Sequence, residues 1–196
     1  MHKYLPAGLS KRLSLEQALA RSGFLFVHDN GSFDFKLETE DNRRFLNELL
    51  RHLGMCTLDG SHLSLPSVTI DQVRWIDAWQ TLSGGAEGGP SGVQNMDLQM
   101  MDSYLAGIAR WLSALGYPTS NSCDGHGRRL PRLNLVDSLQ AKLAAKIVDQ
   151  CSSGRIAYAY PLLCPNVWQS RDRFYCELLD LAEKLYFETL LLNKCP

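Results

Sequence analysis

Residues 14–22 open with Ser14-Leu15-Glu16-Gln17, a hydroxyl followed three residues later by an amide, which is the signature of a capping box. A short helix is expected from there to about Ser22, with Gly23 as its stop. The apolar run 24–27 is followed by Asn30-Gly31 and by polar–apolar alternation over 32–37, which predicts a β-hairpin. Thr39 starts a helix whose apolar positions are Phe45, Leu46, Leu49, Leu50 and Leu53, and Gly54 ends it. Residues 55–65 read as a second small hairpin turning at Asp59-Gly60. Thr69 reads as the cap of another helix, with Ile70, Val73, Ile76 and Trp79 on one stripe.

Beyond a glycine-rich stretch, Leu98, Met101, Leu105, Ile108, Leu112 and Leu115 recur in steps of three and four, the apolar seam of one helix that Gly116 stops. Residues 132–136 read as a strand. Residues 138–151 read as a helix with Leu139, Leu143, Ile147 and Val148 inward, and 155–163 as a strand. Ser170 caps a long last helix with Phe174, Leu178, Leu181 and Leu185 on one face. The expected class is α+β, short hairpins alternating with helices, in two halves: 1–82, then a Gly-rich loop at 83–95, then 96–196.

Composition narrows this little. The chain has 196 residues, 45% of them hydrophobic and 21% charged, enough for a buried core. A net charge of -1 disfavours a strongly basic duplex-binding protein but allows a local basic patch. The N-terminus lacks a signal-like apolar core, and the longest apolar run, near Leu185 to Leu192, is interrupted by Glu188. A cytoplasmic protein without a membrane span is expected. Its six cysteines are scattered, with no C-x-x-C pair, and are expected to be reduced. The glycine-rich stretch lacks the Lys-Ser or Lys-Thr of a phosphate-binding P-loop and reads as a linker. No G-x-S-x-G, H-E-x-x-H or dinucleotide-binding glycine pattern is present.

Candidate chemistry concentrates in Ser122-Cys123-Asp124-Gly125-His126-Gly127-Arg128-Arg129, read as a loop from helix to strand. Polar groups are denser there than a turn requires, and two glycines flank the histidine. Three roles stay open beside that of a plain turn. Cys123 can be a nucleophile whose thiolate is favoured by His126, Arg128 or Arg129, and Asp124 is a candidate catalytic group as a general base. Cys123, Asp124 and His126 can ligate a metal such as zinc, with another ligand supplied by the fold, His28, His52 and His62 among the candidates. Gly125 and Gly127, with Ser122, Arg128 and Arg129, can bind a phosphate. Trp75 and Trp79 read as core, and Tyr158 and Tyr160 as one strand face.

Residues 111–135 have the form W-L-x-x-x-G-Y-x-T-x-x-S-C-x-G-H-G followed by a strand led by Pro131. This resembles a family of small bacterial and phage proteins sharing a helix, a G-[IY]-x-T turn and S-C-x-G-H. The S-C-x-G portion is similar to that of the wybutosine-synthesis tRNA methyltransferase. Gly116, Thr119, Ser122, Cys123, Gly125 and His126 carry the resemblance, which spans about 25 residues and implies a functional loop; it establishes no substrate, and no methyltransferase activity is carried over. The leading expectation is an enzyme with a Cys/Asp/His loop acting on a phosphate-bearing substrate, a nucleotide or RNA. The alternative is a non-catalytic regulatory protein of phage or plasmid type that presents this loop to a protein partner.

Overall fold

A computed structural model describes residues 4–9, 11–65, 68–83 and 96–192. Apart from Ser83, the Gly-rich loop lies outside the described residues. Strand β1 (Arg12–Ser14) enters helix α1 (Leu15–Ser22) through a complete capping box: Ser14 Oγ accepts from Gln17 N and Gln17 Oε1 from Ser14 N, each at 3.1 Å. Gly23 closes the helix at φ 82°. Strands β2 (Val27–Asp29) and β3 (Ser32–Asp34) form the expected hairpin, turning through Asn30 at φ 48° and Gly31 at φ 80°. Helix α2 (Glu40–His52) is capped by Thr39.

Two expectations in this half are corrected. Residues 55–65 do not form their own hairpin. Strand β4 (His62–Ser64) pairs with β3 instead, leaving only an Asp59–His62 bridge at the turn. The residues after Gly54 are tied to α2, with Met55 N donating to Leu50 O and Leu58 N to Asn47 Oδ1, so they are unavailable as a strand. Thr69 caps no helix. It begins strand β5 (Thr69–Asp71), which pairs with β1, and Asp71 caps helix α3 (Gln72–Leu82) by accepting from Val73 N at 2.9 Å. An extended segment is favoured because the partner edge of β1 satisfies its backbone groups.

The seam from Leu98 to Leu115 is inward as expected, yet it is not one helix. A 3-10 turn (Leu98–Met100) is followed by extended backbone at Met101 and then by helix α4 (Ala106–Ala114). The Trp79 indole donates to the Met101 carbonyl at 2.9 Å, and the Asp102 carbonyl accepts from Leu105 and Ala106 amides. The Trp79 indole thus takes the Met101 carbonyl, while the Asp102 carbonyl serves the first turn of α4, and the break is held between them.

The second half is built on a sheet in the order β6-β7-β9-β8. Strands β6 (Thr119–Cys123) and β7 (Arg132–Leu135) pair antiparallel, so the Cys/His tract is a hairpin loop and not the expected helix-to-strand loop. After a 3-10 turn (Ser138–Gln140), helix α5 (Ala141–Ser152) buries Ala144, Val148 and Cys151. Leu139 is 88% exposed and Leu143 is also exposed: the tighter turn shifts the angular phase, so counting from Leu139 misplaces the inward face. The single strand expected at 155–163 is a hairpin, β8 (Ile156–Ala159) and β9 (Leu162–Pro165), turning at Tyr160-Pro161, where proline has no N–H for the ladder. Tyr158 is buried and Tyr160, at the turn, is exposed, their rings meeting edge to face at 6.0 Å.

Helix α6 (Arg171–Leu192) buries Phe174, Leu178, Leu181 and Leu185 and packs against α1, α4 and α5. One core runs through both halves. Trp75 and Trp79 lie inside it. A fully buried ion pair, Arg110 Nη2 to Glu38 Oε1 at 2.9 Å, links α4 to the turn before α2. Glu38 also accepts from Leu25 N and Asn42 Nδ2. Among the described residues, no helix is long and apolar enough to cross a membrane.

Candidate active site

The tract turns between β6 and β7 through three successive left-handed residues: Gly125 at φ 75°, His126 at φ 50° and Gly127 at φ 68°. A side chain is strained there; at Gly127 it would also collide, and at Gly125 it would be tight. A Cβ on Gly127 would sit 2.5 Å from the Tyr4 ring, and one on Gly125 would meet the Leu130 backbone at 3.3 Å. His126 alone adopts this conformation with a side chain, at a cost of about 1–2 kcal/mol. The surroundings enforce it. Asp124 Oδ1 accepts from His126 N at 2.7 Å, Gly125 O accepts from Arg128 and Arg129 amides, and the Tyr175 hydroxyl accepts from Gly127 N at 3.0 Å while donating to the Asp124 carbonyl.

This backbone directs three functional groups at one another. His126 Nε2 lies 3.7 Å from Cys123 Sγ. On the other side of the ring, Nδ1 lies 3.2 Å from Asp124 Oδ1. The Gly125 amide points at the Cys123 sulfur at 3.4 Å. The order thiol, imidazole, carboxylate is that of a nucleophile, its proton acceptor and the group that orients the acceptor. His126 is 38% exposed at its side chain, so the cluster is reachable from solvent.

Asp102 completes the cluster, and no sequence feature singled it out. The break between the 3-10 turn and α4 turns its carboxylate toward the tract, where Oδ2 accepts from Asp124 N at 2.9 Å and Oδ1 lies 3.9 Å from His126 Nδ1. An aspartate within an apolar seam is a poor helix-interior residue, and that was the available signal. Burial, then the neighbouring Asp102 charge, pushes the Asp124 carboxyl up to about 6. Asp102, Cys123 and His126 also offer ligand atoms within 4.8 Å of one another, so these residues can hold a metal ion. His28 stacks on Phe33 and pairs with Glu16, and His62 approaches Asp34, so neither belongs to this group.

Tyr4 and Tyr175 support the loop from beneath, and both were missed in the sequence. Their rings pack edge to face at 4.7 Å, and the Tyr4 hydroxyl donates to Asp172 Oδ1 at 2.6 Å. Burial raises the Tyr175 hydroxyl well above the usual tyrosine range, which keeps it a neutral donor to the loop.

The residues expected to bind phosphate divide. Ser122 sits in the β6–β7 ladder opposite Leu133. The Gly125 and Gly127 amides are occupied by Cys123 Sγ and the Tyr175 hydroxyl, so an anion would meet side chains here and not a glycine cradle. Arg128 and Arg129 are exposed and line a cleft of about 420 Å³ with Arg171, Trp168 and Tyr175. No family model, curated protein or solved structure matches the chain.

Proposed function

We propose that the chain is an enzyme that uses the Cys123 thiolate as a nucleophile on a phosphate-bearing substrate, a nucleotide or RNA. The observation that carries this reading is the alignment of Cys123 Sγ, His126 Nε2 at 3.7 Å and, across the ring, Asp124 Oδ1 at 3.2 Å from Nδ1. His126 Nε2 takes the Sγ proton. Sγ then forms a bond to phosphorus as the bond to the leaving oxygen breaks, and Nε2 returns the proton to that oxygen. Water attacks the thiophosphate in a second step, giving its proton to Nε2, and Sγ departs. Asp124 is a positioning residue that keeps the Nδ1–H tautomer. Arg128 and Arg129 stand beside the loop as partners for the phosphoryl charge. Thiols stay reduced in the cytoplasm, which suits a nucleophilic Cys123, so the reading includes a cytoplasmic location.

A screen of phosphate esters and nucleotides with the full chain tests this. Turnover is expected in the wild type, with Cys123→Ala and His126→Ala, each folded by circular dichroism, at least about a hundredfold slower. Folded variants that retain full turnover would exclude the mechanism.

The position of Asp102 supports a second reading, in which Asp102, Cys123 and His126 ligate a zinc ion and Asp124 orients the His126 ring from behind. Stoichiometric zinc in untagged protein, lost together with activity on chelation, would replace the nucleophile reading. Full activity in metal-free protein would exclude the zinc.

A further inference from the structure

The cleft beside the catalytic loop carries two features that are costly without a ligand. Arg128, Arg129 and Arg171 line it, and among them Arg171 has the Asp172 carboxylate near enough to feel its charge. Trp168 is 57% exposed on its wall and holds only a tilted contact to Phe174, with ring centroids 6.4 Å apart. Gathering like charges is unfavourable, and so is leaving an indole in water. A ligand with an anionic end and a flat aromatic face relieves both.

The positions of these groups set the direction of such a ligand. Arg128 and Arg129 directly follow Gly127, and Arg171 opens α6, whose first turn adds the positive end of a 22-residue helix capped by Ser170 (Arg173 N to Ser170 Oγ, 3.1 Å). The cationic side is therefore next in the chain to the Cys/His loop, although neither Cys123 nor His126 lines the cleft. Tyr175 joins the two, since its ring lines the cleft while its hydroxyl holds Gly127 and Asp124. Cleft size matches one small molecule, at about 420 Å³. Only Trp168 is offered as an exposed ring on the cleft wall, and the chain as a whole is not basic, which favours a single nucleotide over a nucleic-acid strand.

We infer that this cleft binds a nucleoside monophosphate unit, with the base against Trp168 and the phosphate on Arg128, Arg129 and Arg171. The inference rests on the nucleophile reading for the fate of the phosphate, but the binding itself does not require Cys123. The full chain is titrated by calorimetry with AMP, GMP, CMP and UMP, with the matching nucleosides, with inorganic phosphate and with a single-stranded oligonucleotide. At least one nucleoside monophosphate is expected to bind about tenfold or more tightly than its nucleoside and than phosphate. Trp168→Leu and Arg171→Ala should each weaken it about tenfold. Cys123→Ala should bind as the wild type does, and binding by that variant without turnover in the wild type would defeat the nucleophile reading alone. Three results would overturn the inference: no nucleotide binding at millimolar concentration, phosphate binding as tightly as any nucleotide, or an oligonucleotide far exceeding every monophosphate. Should Arg171→Ala fail to fold, Arg129→Ala, which lies outside any helix or strand, carries the same expectation.

Discussion

At the scale of single residues, the tract is organised around Asp124. Its side chain is almost fully buried, accepts from the His126 amide and faces the His126 ring, while Asp102 sits behind it. With its carboxyl raised to about 6 from an ordinary value near 4, the folded protein favours the protonated form more than the unfolded chain does. The charged form therefore costs stability above pH 6, and the cost fades as the pH falls through 6 toward 4. Asp124→Asn keeps an oxygen for the His126 amide and removes that charge. It should raise the melting temperature by several degrees at pH 8, a gain on the order of 2 kcal/mol, and the gain should vanish near pH 4. Melting curves of both proteins across this range check it, and a difference independent of pH would mean that the Asp124 charge is not the cause. The residue types of the tract were legible because cysteine, aspartate and histidine crowd a glycine-flanked loop. Its geometry was not legible, because Tyr175, Tyr4 and Asp102 reach it from distant positions in the chain.

At the scale of elements, local signals carried where the local backbone satisfies itself. The capping box at Ser14, the Asn30-Gly31 turn and the Ser170 helix start each depend on residues a few positions apart, and each is present. Signals failed where a distant group takes over a backbone partner. Met101 gives its carbonyl to Trp79, β4 pairs with β3, and β5 with β1. The break at Met101 shows why this matters for the tract, since a continuous helix would carry Asp102 away from the Asp124 amide that it now meets. Elements are further fixed by the Glu38 carboxylate, which holds Arg110 of α4, Asn42 of α2 and the Leu25 amide in one buried cluster. Glu38→Ala removes the carboxylate that accepts from the buried Arg110 guanidinium and should cost about 3–5 kcal/mol, read by urea denaturation. A loss under 1 kcal/mol would mean that the cluster does not clamp these elements.

For the whole molecule, the α+β class was readable from hairpins interspersed with helices, whereas the sharing of one core by both halves was not. Helix α6 accounts for it, because it packs on α1 from the first half and on α4 and α5 from the second. The same helix begins at the arginine cleft and places Tyr175 under the loop, and Tyr4 of the first half packs on the Tyr175 ring, so both halves support the tract. The central claim is that this assembly makes Cys123 a nucleophile, and peptide-mapped labelling of the intact protein with iodoacetamide at pH 7 tests it without knowledge of the substrate. Cys56, exposed and remote from the tract in sequence, serves as the internal reference. The account predicts that half-buried Cys123 is modified about tenfold faster than Cys56 and that His126→Ala brings it to or below the rate of Cys56. A Cys123 no more reactive than Cys56, or one whose rate is indifferent to the loss of His126, would contradict it.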